Sequence, residues 1–253
     1  MTIQRSFDGD VAIIRIRRPE AKNSLTLAQM GELRSAVDEV AASPARCLFF
    51  TGCESAFCAG RDLKEADLER EDTYTVMTTV IHPLVQAVRN LPIPSVAAVQ
   101  GPALGLGLGL ALSCDLVWVA ENAVLGSPFR NFGGVTDSGG HYFLATRLGP
   151  HRAAELIFTG RLISGAEAAH WGLVNRAVPA AVLERESLEL CRHIASGPTA
   201  AFRATKRILC EDRSFEAVLD LEARSMDQVL KGADGHEGLK AFREKRTPKF
   251  SGL

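Results

Sequence analysis

The sequence predicts an α/β fold in which alternating strands and helices are followed by a purely helical C-terminal region. Short, wholly apolar runs at residues 47–50 and 95–99 read as strands buried on both faces of a parallel sheet. Amphipathic segments with helical spacing separate such runs as far as residue 178. After Pro179 every pattern is helical with a charged face. Strands alternating with helices, and then helices alone, are typical of an α/β core with a helical appendage.

The elements of the core follow one another in a regular order. Strands are predicted at residues 11–16, 47–50, 95–99, 116–120, 123–126 and 173–178. Helices are predicted at residues 26–42, 74–90, 138–148, 151–159 and 166–170. Capping boxes mark two of the helix starts, Thr26 with Gln29 and Ser164 with Glu167. The C-terminal helices are predicted at residues 180–196, 199–211, 214–231 and 236–246.

Composition narrows the class of protein. A chain of 253 residues with 46% apolar and 23% charged residues has the size and composition of an ordinary globular protein. Its net charge of −1 gives no general attraction for nucleic acid or an anionic membrane. The six cysteines form no CxxC or His/Cys cluster, so no metal site is expected. The polar N-terminus and the free, mostly buried thiols predict a cytoplasmic protein.

One stretch is long enough to cross a membrane. Residues 90–114 carry no charge, and that length would span a bilayer as a helix. The stretch also contains three prolines and four glycines, which break helices. We therefore predict a buried strand, a turn and a buried helix, and no membrane partner.

Glycine-rich turns are the first sign of a functional site. Gly60 permits a tight turn after residues 57–59, and Gly101 and Gly105 lie between a predicted strand and a predicted helix. A helix N-terminus offers unpaired N–H groups and partial positive charge. Two such donors converging on one point would form an oxyanion hole. Each motif taken singly is more typical of a simple turn than of a site, and no nucleotide-phosphate loop is present.

Taken together and in order, these motifs resemble the crotonase (enoyl-CoA hydratase/isomerase) superfamily. The matching segments cover nearly the whole chain: residues 18–25 (RPEAKNSL), 56–65 (AFCAGRDLKE), 94–126 (PSVAAVQGPALGLGLGLALSCDLVWVAENAVLG), 148–179 (LGPHRAAELIFTGRLISGAEAAHWGLVNRAVP) and 237–250 (EGLKAFREKRTPKF).

The resemblance implies a fold, an assembly and a substrate. The fold would be a spiral of ββα units over residues 1–195, with a helical oligomerisation region at residues 196–253 that builds homotrimers or dimers of trimers. The substrate would be an acyl-CoA thioester, so that CoA arrives with the substrate and no other cofactor is needed. The thioester oxygen would lie between the backbone N–H groups of Arg61 and Leu106.

The resemblance also implies a set of substrate-binding residues. The CoA path would be lined by Ala21, Lys22, Ala59, Gly60, Asp62, Leu63 and Gly105. The acyl pocket would be shaped by Phe129 and Phe132. The CoA of a neighbouring subunit would be contacted by Phe242 and Lys245.

The sequence departs from the pattern where a hydratase carries its two glutamates. Alignment of the flanking residues puts Gly109 and Phe129 at these positions. Neither side chain transfers protons, so water addition by the two-glutamate route is not expected. The remaining carboxylate is Asp137, which matches the base position of the single-aspartate isomerases in the superfamily. A lone carboxylate suffices for a 1,3-proton shift, and burial would raise its pKa toward the working pH.

Alternatives remain open for individual residues. Asp137 precedes a predicted helix, and an aspartate there is a favoured N-cap. His141, one turn further, would either assist Asp137 or be structural. The Arg61 side chain would either contact a CoA phosphate or face solvent, whereas Asp62 and its acidic neighbours read as solvated. Asp115 and the cysteines read as structural.

Three functions are compatible with this sequence. The first is an enoyl-CoA isomerase that shifts a double bond with Asp137 as acid and base. The second is a hydratase or a thioester or diketone hydrolase that uses Asp137 to activate water. The third is an acyl-CoA-binding protein that retained the oxyanion hole and lost catalysis.

Overall fold

The computed structural model describes residues 2–67, 70–210 and 214–252. Within these ranges the chain forms an α/β fold, as the sequence predicts. The strands are Ile3–Asp8 (β1), Val11–Ile16 (β2), Cys47–Gly52 (β3), Ser95–Val99 (β4), Ala103–Leu104 (β5), Leu116–Ala120 (β6), Val124–Gly126 (β7), Ile163–Ser164 (β8) and Arg176–Val178 (β9). The α-helices are Leu27–Ala41 (α1), Thr73–Val76 (α2), His82–Arg89 (α3), Leu106–Ser113 (α4), Gly140–Thr159 (α5), Gly165–His170 (α6), Ala180–Ala195 (α7), Thr199–Cys210 (α8), Phe215–Leu230 (α9) and Ala233–Glu244 (α10).

Two sheets organise the core. The larger has the strand order β1-β2-β3-β4-β6-β9, in which only the edge pair β1–β2 is antiparallel. The smaller sheet has the order β5-β7-β8. Every residue of β3 and β4 is buried, because helices cover both faces of these central strands. Helix α7 packs against β3, β4 and β6, while α4 packs against β4 and β6.

Local sequence signals explain most element boundaries. The Thr26 hydroxyl accepts from the Gln29 N–H and the Gln29 side chain accepts from the Thr26 N–H, which is the predicted capping box of α1. Ser164 likewise accepts from the Glu167 N–H at the start of α6. The two helices predicted at residues 138–159 form one continuous segment with a break at Gly149, where φ is +77°. Pro150 follows directly and starts the second half.

Between α2 and α3 the helix widens. Residues Met77–Ile81 form a π-type turn that joins α2 to α3 without interruption. Such widened turns are rare and occur often at functional sites, because the extra residue shifts the helix face that follows. Here His82 comes directly after the widened turn and begins α3.

The uncharged stretch at residues 90–114 forms part of the core. It contains β4, β5 and α4, all with buried or half-buried residues, which confirms the predicted strand, turn and helix. Among the described residues, no helix is both long and apolar enough to cross a membrane. All six cysteines are free thiols, and all but Cys210 are buried, as expected.

Three short or exposed strands escaped sequence analysis. Strand β1 is an edge strand with only Ile3 fully buried, so its apolar pattern is too weak to detect. Strands β5 and β8 have two residues each and exist only through pairing with β7. These pairings are decided by tertiary structure and not by a local pattern.

The C-terminal helices are held to the core by a buried cation. Lys206 of α8 is 8% exposed, and its Nζ donates to the Ile93 carbonyl oxygen at 3.1 Å and to Asp115 Oδ2 at 2.7 Å. Asp115 also accepts from the Ser95 N–H and hydroxyl, both at 2.8 Å. The structural role predicted for Asp115 is therefore confirmed. The division of the chain at residues 195 and 196 stays a prediction.

Candidate active site

Backbone hydrogen bonds bring three separate sequence motifs to one place. The Leu104 N–H donates to the Cys58 carbonyl at 3.0 Å, which joins the turn at residues 57–60 to β5. The Leu25 N–H donates to the Gly60 carbonyl at 2.9 Å, which adds the loop at residues 18–25. The Gly105 N–H donates to the Gly126 carbonyl at 3.0 Å. The motifs singled out in the sequence thus form one surface.

A buried asparagine fixes the outer loop of this surface. Asn23 has no exposed area, and its φ of +57° lies in the left-handed region. Its amide nitrogen donates to the carbonyls of Cys53 and Ala56 at 3.0 and 2.6 Å, while its Oδ1 accepts from the Arg18 N–H at 2.7 Å. A side chain that satisfies backbone groups of two loops holds them in register. Sequence analysis did not single out Asn23.

Gly60 allows the turn and the α4 N-terminus to come close together. Its φ is +102°, and a β-carbon at this position would lie 2.8 Å from the Leu104 carbonyl oxygen. The same β-carbon would lie 3.8 Å from the Leu106 nitrogen. Only glycine fits both the conformation and the approach. The amide of Arg61, the next residue, therefore lies near the start of α4.

The two predicted oxyanion-hole donors are free to bind a ligand. Leu106 is the first residue of α4, where N–H groups have no intrahelical acceptor, and no side chain caps this end. Neither the Arg61 nor the Leu106 N–H donates to any residue that the structure describes. Two unpaired amides on adjacent turns, one of them at a helix N-terminus, suit a developing negative charge.

Asp137 supplies a carboxylate that is removed from water. The side chain is half-buried, and its Oδ1 is fully buried without a hydrogen-bond partner among the described residues. Burial raises the pKa of Asp137, and the neighbouring Ser138, His82 and Arg61 offset part of that rise. An unpartnered carboxylate with a raised pKa is suited to proton transfer.

The alternative N-cap role of Asp137 is wrong. Helix α5 begins at Gly140, and the residue in the cap position is Gly139, with no side-chain cap hydrogen bond. Only the main-chain carbonyl of Asp137 takes part, accepting from the Gly140 N–H at 2.8 Å. Ser138 and Gly139 both have positive φ, +54° and +80°, so the chain turns sharply here. This turn separates the carboxylate from the helix N-terminus.

The space for a first glutamate is filled. A β-carbon at Gly109 would lie 2.4 Å from the Ser138 carbonyl oxygen and 2.5 Å from the Ser138 β-carbon. Any side chain at position 109 would therefore collide with the segment that carries Asp137. At the second glutamate position, the Phe129 ring lies against Gly105, 3.1 Å from where a β-carbon would be, and its centroid lies 5.0 Å from that of Phe132.

A different histidine from the predicted one is an electrostatic neighbour of Asp137. His141 is exposed on α5 and forms no hydrogen bond with a described residue, so nothing in its placement links it to the carboxylate. His82 is the first residue of α3, and it favours the ionised form of Asp137. The two residues are 55 positions apart in sequence. The widened helical turn before His82 points to this residue, but that turn is visible only in the structure and not in the sequence.

The Arg61 side chain follows neither predicted alternative. Its guanidinium forms a bidentate ion pair with Glu71, and both side chains are about 15% exposed, at 14% and 15%. It therefore neither faces solvent nor is free to bind phosphate. Hydrogen bonds from Arg61 lower the pKa of Glu71, so the pair stays ionised.

The predicted solvent exposure of Asp62 is wrong. The sequence suggested a solvated side chain beside the CoA path, but the carboxylate is 6% exposed and forms a 2.6 Å ion pair with Arg18. Burial opposes ionisation, yet the hydrogen bonds from Arg18 and from the Lys64 N–H hold the pKa of Asp62 below its ordinary value. Its carboxylate stabilises the loop and is not presented to a ligand.

The remaining predicted binding residues lie on accessible surface to different degrees. Ala21 and Ala59 are half-buried on adjoining loops, and the Ala59 N–H donates to the Lys22 carbonyl at 3.0 Å. The others are exposed: Lys22, Leu63, Phe132, Phe242 and Lys245. Phe242 is 83% exposed on α10, far beyond what a large apolar side chain needs for packing within its own chain.

The cysteines beside the site are inert. Burial raises the pKa of the Cys58 thiol to about 12, and burial together with the Asp115 charge does the same for Cys114. Neither thiol is ionised at neutral pH, so neither is a nucleophile. This agrees with the structural role predicted from the sequence.

Comparisons with known proteins identify the architecture around this site. The sequence profile of the family described as "Enoyl-CoA hydratase/isomerase" matches residues 6–252. The chain belongs to the enoyl-CoA hydratase/isomerase family. The expected crotonase fold is confirmed by the crystal structure of an enoyl-CoA hydratase from Bacillus anthracis, with a TM-score of 0.94 and 35% identity over 100% of both chains.

Relatives within the enoyl-CoA hydratase/isomerase family carry different names. A "Probable enoyl-CoA hydratase" of Rhodobacter capsulatus is 37% identical over 253 residues, covering 99% of this chain and 98% of the relative. The 1,2-epoxyphenylacetyl-CoA isomerase of Escherichia coli is 32% identical over 249 residues, covering 96% and 95%. Family membership therefore leaves hydration and isomerisation both open.

Proposed function

We propose that this protein is an acyl-CoA isomerase that moves a double bond in an enoyl-CoA by proton transfer through Asp137. The observation that carries the proposal is the Asp137 carboxylate, which is buried at Oδ1, lacks a partner among the described residues and has a raised pKa. Its neighbour Ser138 lies against Gly109, and neither Gly109 nor Phe129 supplies a glutamate, which favours a mechanism with one acid/base group.

The unpaired amides of Arg61 and Leu106 support the first step. Removing a proton from the carbon next to a thioester leaves negative charge on the thioester oxygen, and a carboxylate alone is too weak a base for that. A preorganised donor aimed at this oxygen contributes about 3–4 kcal/mol to the transition state. Asp137 takes the proton, and the enolate is held by the two amides.

In the second step the same carboxyl group returns the proton to the carbon two positions further along the chain. The electron pairs balance, because the C–H bond broken at one carbon is replaced at the other as the double bond moves. Phe129 and Phe132, whose ring centroids lie 5.0 Å apart, would shape the pocket for the acyl chain.

Deuterium labelling tests this proposal. A 3-enoyl-CoA incubated with the protein in D2O is expected to become a conjugated 2-enoyl-CoA and to take up deuterium at the carbons that exchange protons. Asp137→Asn keeps the shape of the side chain and removes the base, so turnover should fall by about 10²–10⁴-fold while CoA affinity remains. Unchanged turnover in Asp137→Asn would sink the proposal.

A second candidate is water addition with Asp137 as general base. The name of the Rhodobacter capsulatus relative favours it. The test is a 2-enoyl-CoA substrate in H218O: incorporation of 18O at the third carbon supports hydration, and double-bond movement without 18O supports isomerisation. Binding without either product supports an acyl-CoA-binding protein.

The exposed apolar side chains of the C-terminal helices support a homotrimer or a dimer of trimers. They include Leu209, Phe215, Leu219, Met226, Leu230, Leu239 and Phe242. So many exposed large side chains on neighbouring helices are characteristic of a subunit interface. Light scattering should give three or six times the 27.3 kDa chain mass. In such an assembly Phe242 and Lys245 would reach the CoA of a neighbouring subunit.

A further inference from the structure

The ion pair between Arg61 and Glu71 lies in the wall of the candidate site. Arg61 Nη1 lies 2.7 Å from Glu71 Oε1, and the Nη2–Oε2 contact completes a fork-to-fork arrangement. Both side chains are largely shielded from solvent. Paired arginine and carboxylate groups in this geometry are strong and well oriented.

The position of Glu71 is set by its own segment and does not depend on Arg61. Its N–H donates to the Asp67 carbonyl at 2.9 Å. The next residue, Asp72, caps α2 by accepting from the Thr75 N–H at 3.1 Å and from the Thr75 hydroxyl at 2.6 Å. The main chain of Glu71 is therefore held at the start of a helix by hydrogen bonds that do not involve Arg61.

Arg61 is close enough to Asp137 to affect it. The segments that carry Arg61 and Asp137 both lie against the start of α4, because a β-carbon at Gly60 would lie 3.8 Å from the Leu106 nitrogen and one at Gly109 would lie 2.4 Å from the Ser138 carbonyl oxygen. The Arg61 charge favours the ionised form of Asp137. The Asp137 Oδ1 has no partner among the described residues. An arginine released from Glu71 would find this buried carboxylate within its neighbourhood, and a carboxylate paired with arginine is a poor base.

We propose that Glu71 is a positioning residue for the reaction: it holds the Arg61 guanidinium against the cleft wall and cancels its charge, so that Asp137 stays unpaired. This inference rests on the proposed role of Asp137 as the acid/base. The Arg61 side chain is thereby held by Glu71, while the backbone N–H of Arg61 would act separately as an oxyanion-hole donor.

Four groups bear on the protonation of Asp137. Ser138 is the adjacent residue, Arg61 comes from the turn, His82 comes from α3, and Glu71 acts through Arg61. Of these, only Glu71 is negative. Removing its charge leaves the positive charge of Arg61 uncompensated, which stabilises the Asp137 carboxylate and lowers its pKa. The acid limb of a pH–rate profile that depends on ionised Asp137 then moves to lower pH.

The test compares Glu71→Gln with Glu65→Gln. Glutamine retains the size of Glu71 and removes its charge. Glu65 lies in the same segment and pairs with Arg18 instead, at 3.3 Å, so its substitution is a matched control for the loss of one negative charge. We expect Glu71→Gln to lower kcat by about tenfold or more, to move the acid limb of kcat/KM to lower pH, and to leave CoA affinity near that of the control.

A second variant distinguishes a positioning role of Glu71 from a role in folding. In the double variant Glu71→Gln/Arg61→Met the released cation is absent and the backbone N–H of residue 61 is retained, so activity should partly recover relative to Glu71→Gln alone. A double variant no more active than Glu71→Gln would overturn the inference. So would a Glu71→Gln profile that coincides with the Glu65→Gln profile.

A readout without turnover distinguishes this inference from the proposed function. The 13C signal of the Asp137 carboxyl, assigned with Asp137→Asn, reports its titration directly. A lower titration midpoint in Glu71→Gln supports the inference even where Asp137→Asn retains turnover and the proposed function fails. An unchanged midpoint overturns the inference and leaves the proposed function standing on the labelling experiment.

Discussion

The main chain of Ser138 lies directly against the α-carbon of Gly109. A β-carbon at position 109 would come within 2.4 Å of the Ser138 carbonyl oxygen. The segment that delivers Asp137 to the cleft therefore occupies the volume that a side chain at position 109 would need. The same packing arrangement therefore places Asp137 and leaves no room for a glutamate at position 109.

This packing predicts that a carboxylate cannot be restored at position 109. Gly109→Ala should lower the free energy of unfolding by about 1–3 kcal/mol, since the overpacked β-carbon forces the Ser138 main chain to move. Gly109→Glu should lower the free energy of unfolding further and should gain no hydratase activity. Denaturant unfolding and a 2-enoyl-CoA hydration assay check both statements.

Gly31→Ala is the matched control for this prediction. Gly31 lies in α1, and a β-carbon there meets no atom within 4 Å. Alanine should stabilise this exposed helix position by about 0.5–1 kcal/mol. A Gly109→Ala variant as stable as Gly31→Ala would contradict the close approach of Ser138.

The raised pKa of Asp137 predicts the pH dependence of activity. As a base the carboxylate must be ionised, so kcat/KM should fall as the pH drops through its raised pKa. The acid limb should therefore lie above the value of about 3.9 that is usual for an aspartate. A pH–rate profile from pH 4 to 8, with the stability of the protein followed in parallel, provides the measurement.

The same shift predicts an effect on stability with the opposite trend. A group whose pKa is higher in the folded state than in the unfolded state stabilises the fold at low pH and loses that contribution as the pH rises through the folded value. Asp137→Asn should therefore raise the melting temperature at pH 7 relative to the unchanged protein. The gain should shrink as the pH falls through the folded pKa and vanish below the unfolded pKa. An equal difference at every pH would argue against a raised pKa.

The pair between Arg18 and Asp62 predicts acid sensitivity of the loops. Asp62→Ala leaves Arg18, which is 16% exposed, without its closest carboxylate, and should cost about 3 kcal/mol of unfolding free energy at pH 7. Because the pKa of Asp62 is lowered in the folded state, its contribution is present above the unfolded pKa and is lost as the pH falls through the folded one. The difference between the two proteins should therefore narrow in acid.

Glu65→Gln provides the comparison for Asp62→Ala. Glu65 contacts the same guanidinium at 3.3 Å but is mostly exposed, and exposed pairs contribute less than about 1 kcal/mol. Urea unfolding of both variants at pH 7 and in acid distinguishes the buried pair from the exposed one. Equal losses in the two variants would show that burial of Asp62 is not what matters.

The buried Lys206 predicts how the C-terminal helices attach to the core. Lys206→Met should keep much of the packing and lose the hydrogen bonds to Asp115 and Ile93, which costs about 1.5–3 kcal/mol. In Lys206→Met, hydrogen exchange should show that α8 opens more readily than β4. Lys231→Met, which removes an exposed pair with Asp227, should change stability by less than about 1 kcal/mol.

Sequence analysis located the turns of the site but not the pairing of its charged side chains. Gly60 and Gly105 are visible in the sequence because a tight turn and a close approach both require glycine. The partners of Arg61 and Asp62 are not visible, since Glu71 and Arg18 are each one of several charged residues nearby in the chain. His82 was missed because only the folded chain brings α3 toward Asp137.

By itself the sequence determined the α/β class, the order of most strands and helices, and the glycine-rich turns. These depend on apolar periodicity, capping residues and glycine, all of which are local properties of the chain. The resemblance of its motifs to a family pointed to Asp137 as the candidate acid/base. Tertiary structure decided that Asp137 is freed from the helix cap, that Ser138 fills the space beside Gly109 and that Arg61 is bound by Glu71. Each of these depends on distances between segments far apart in sequence, and such distances are set by packing.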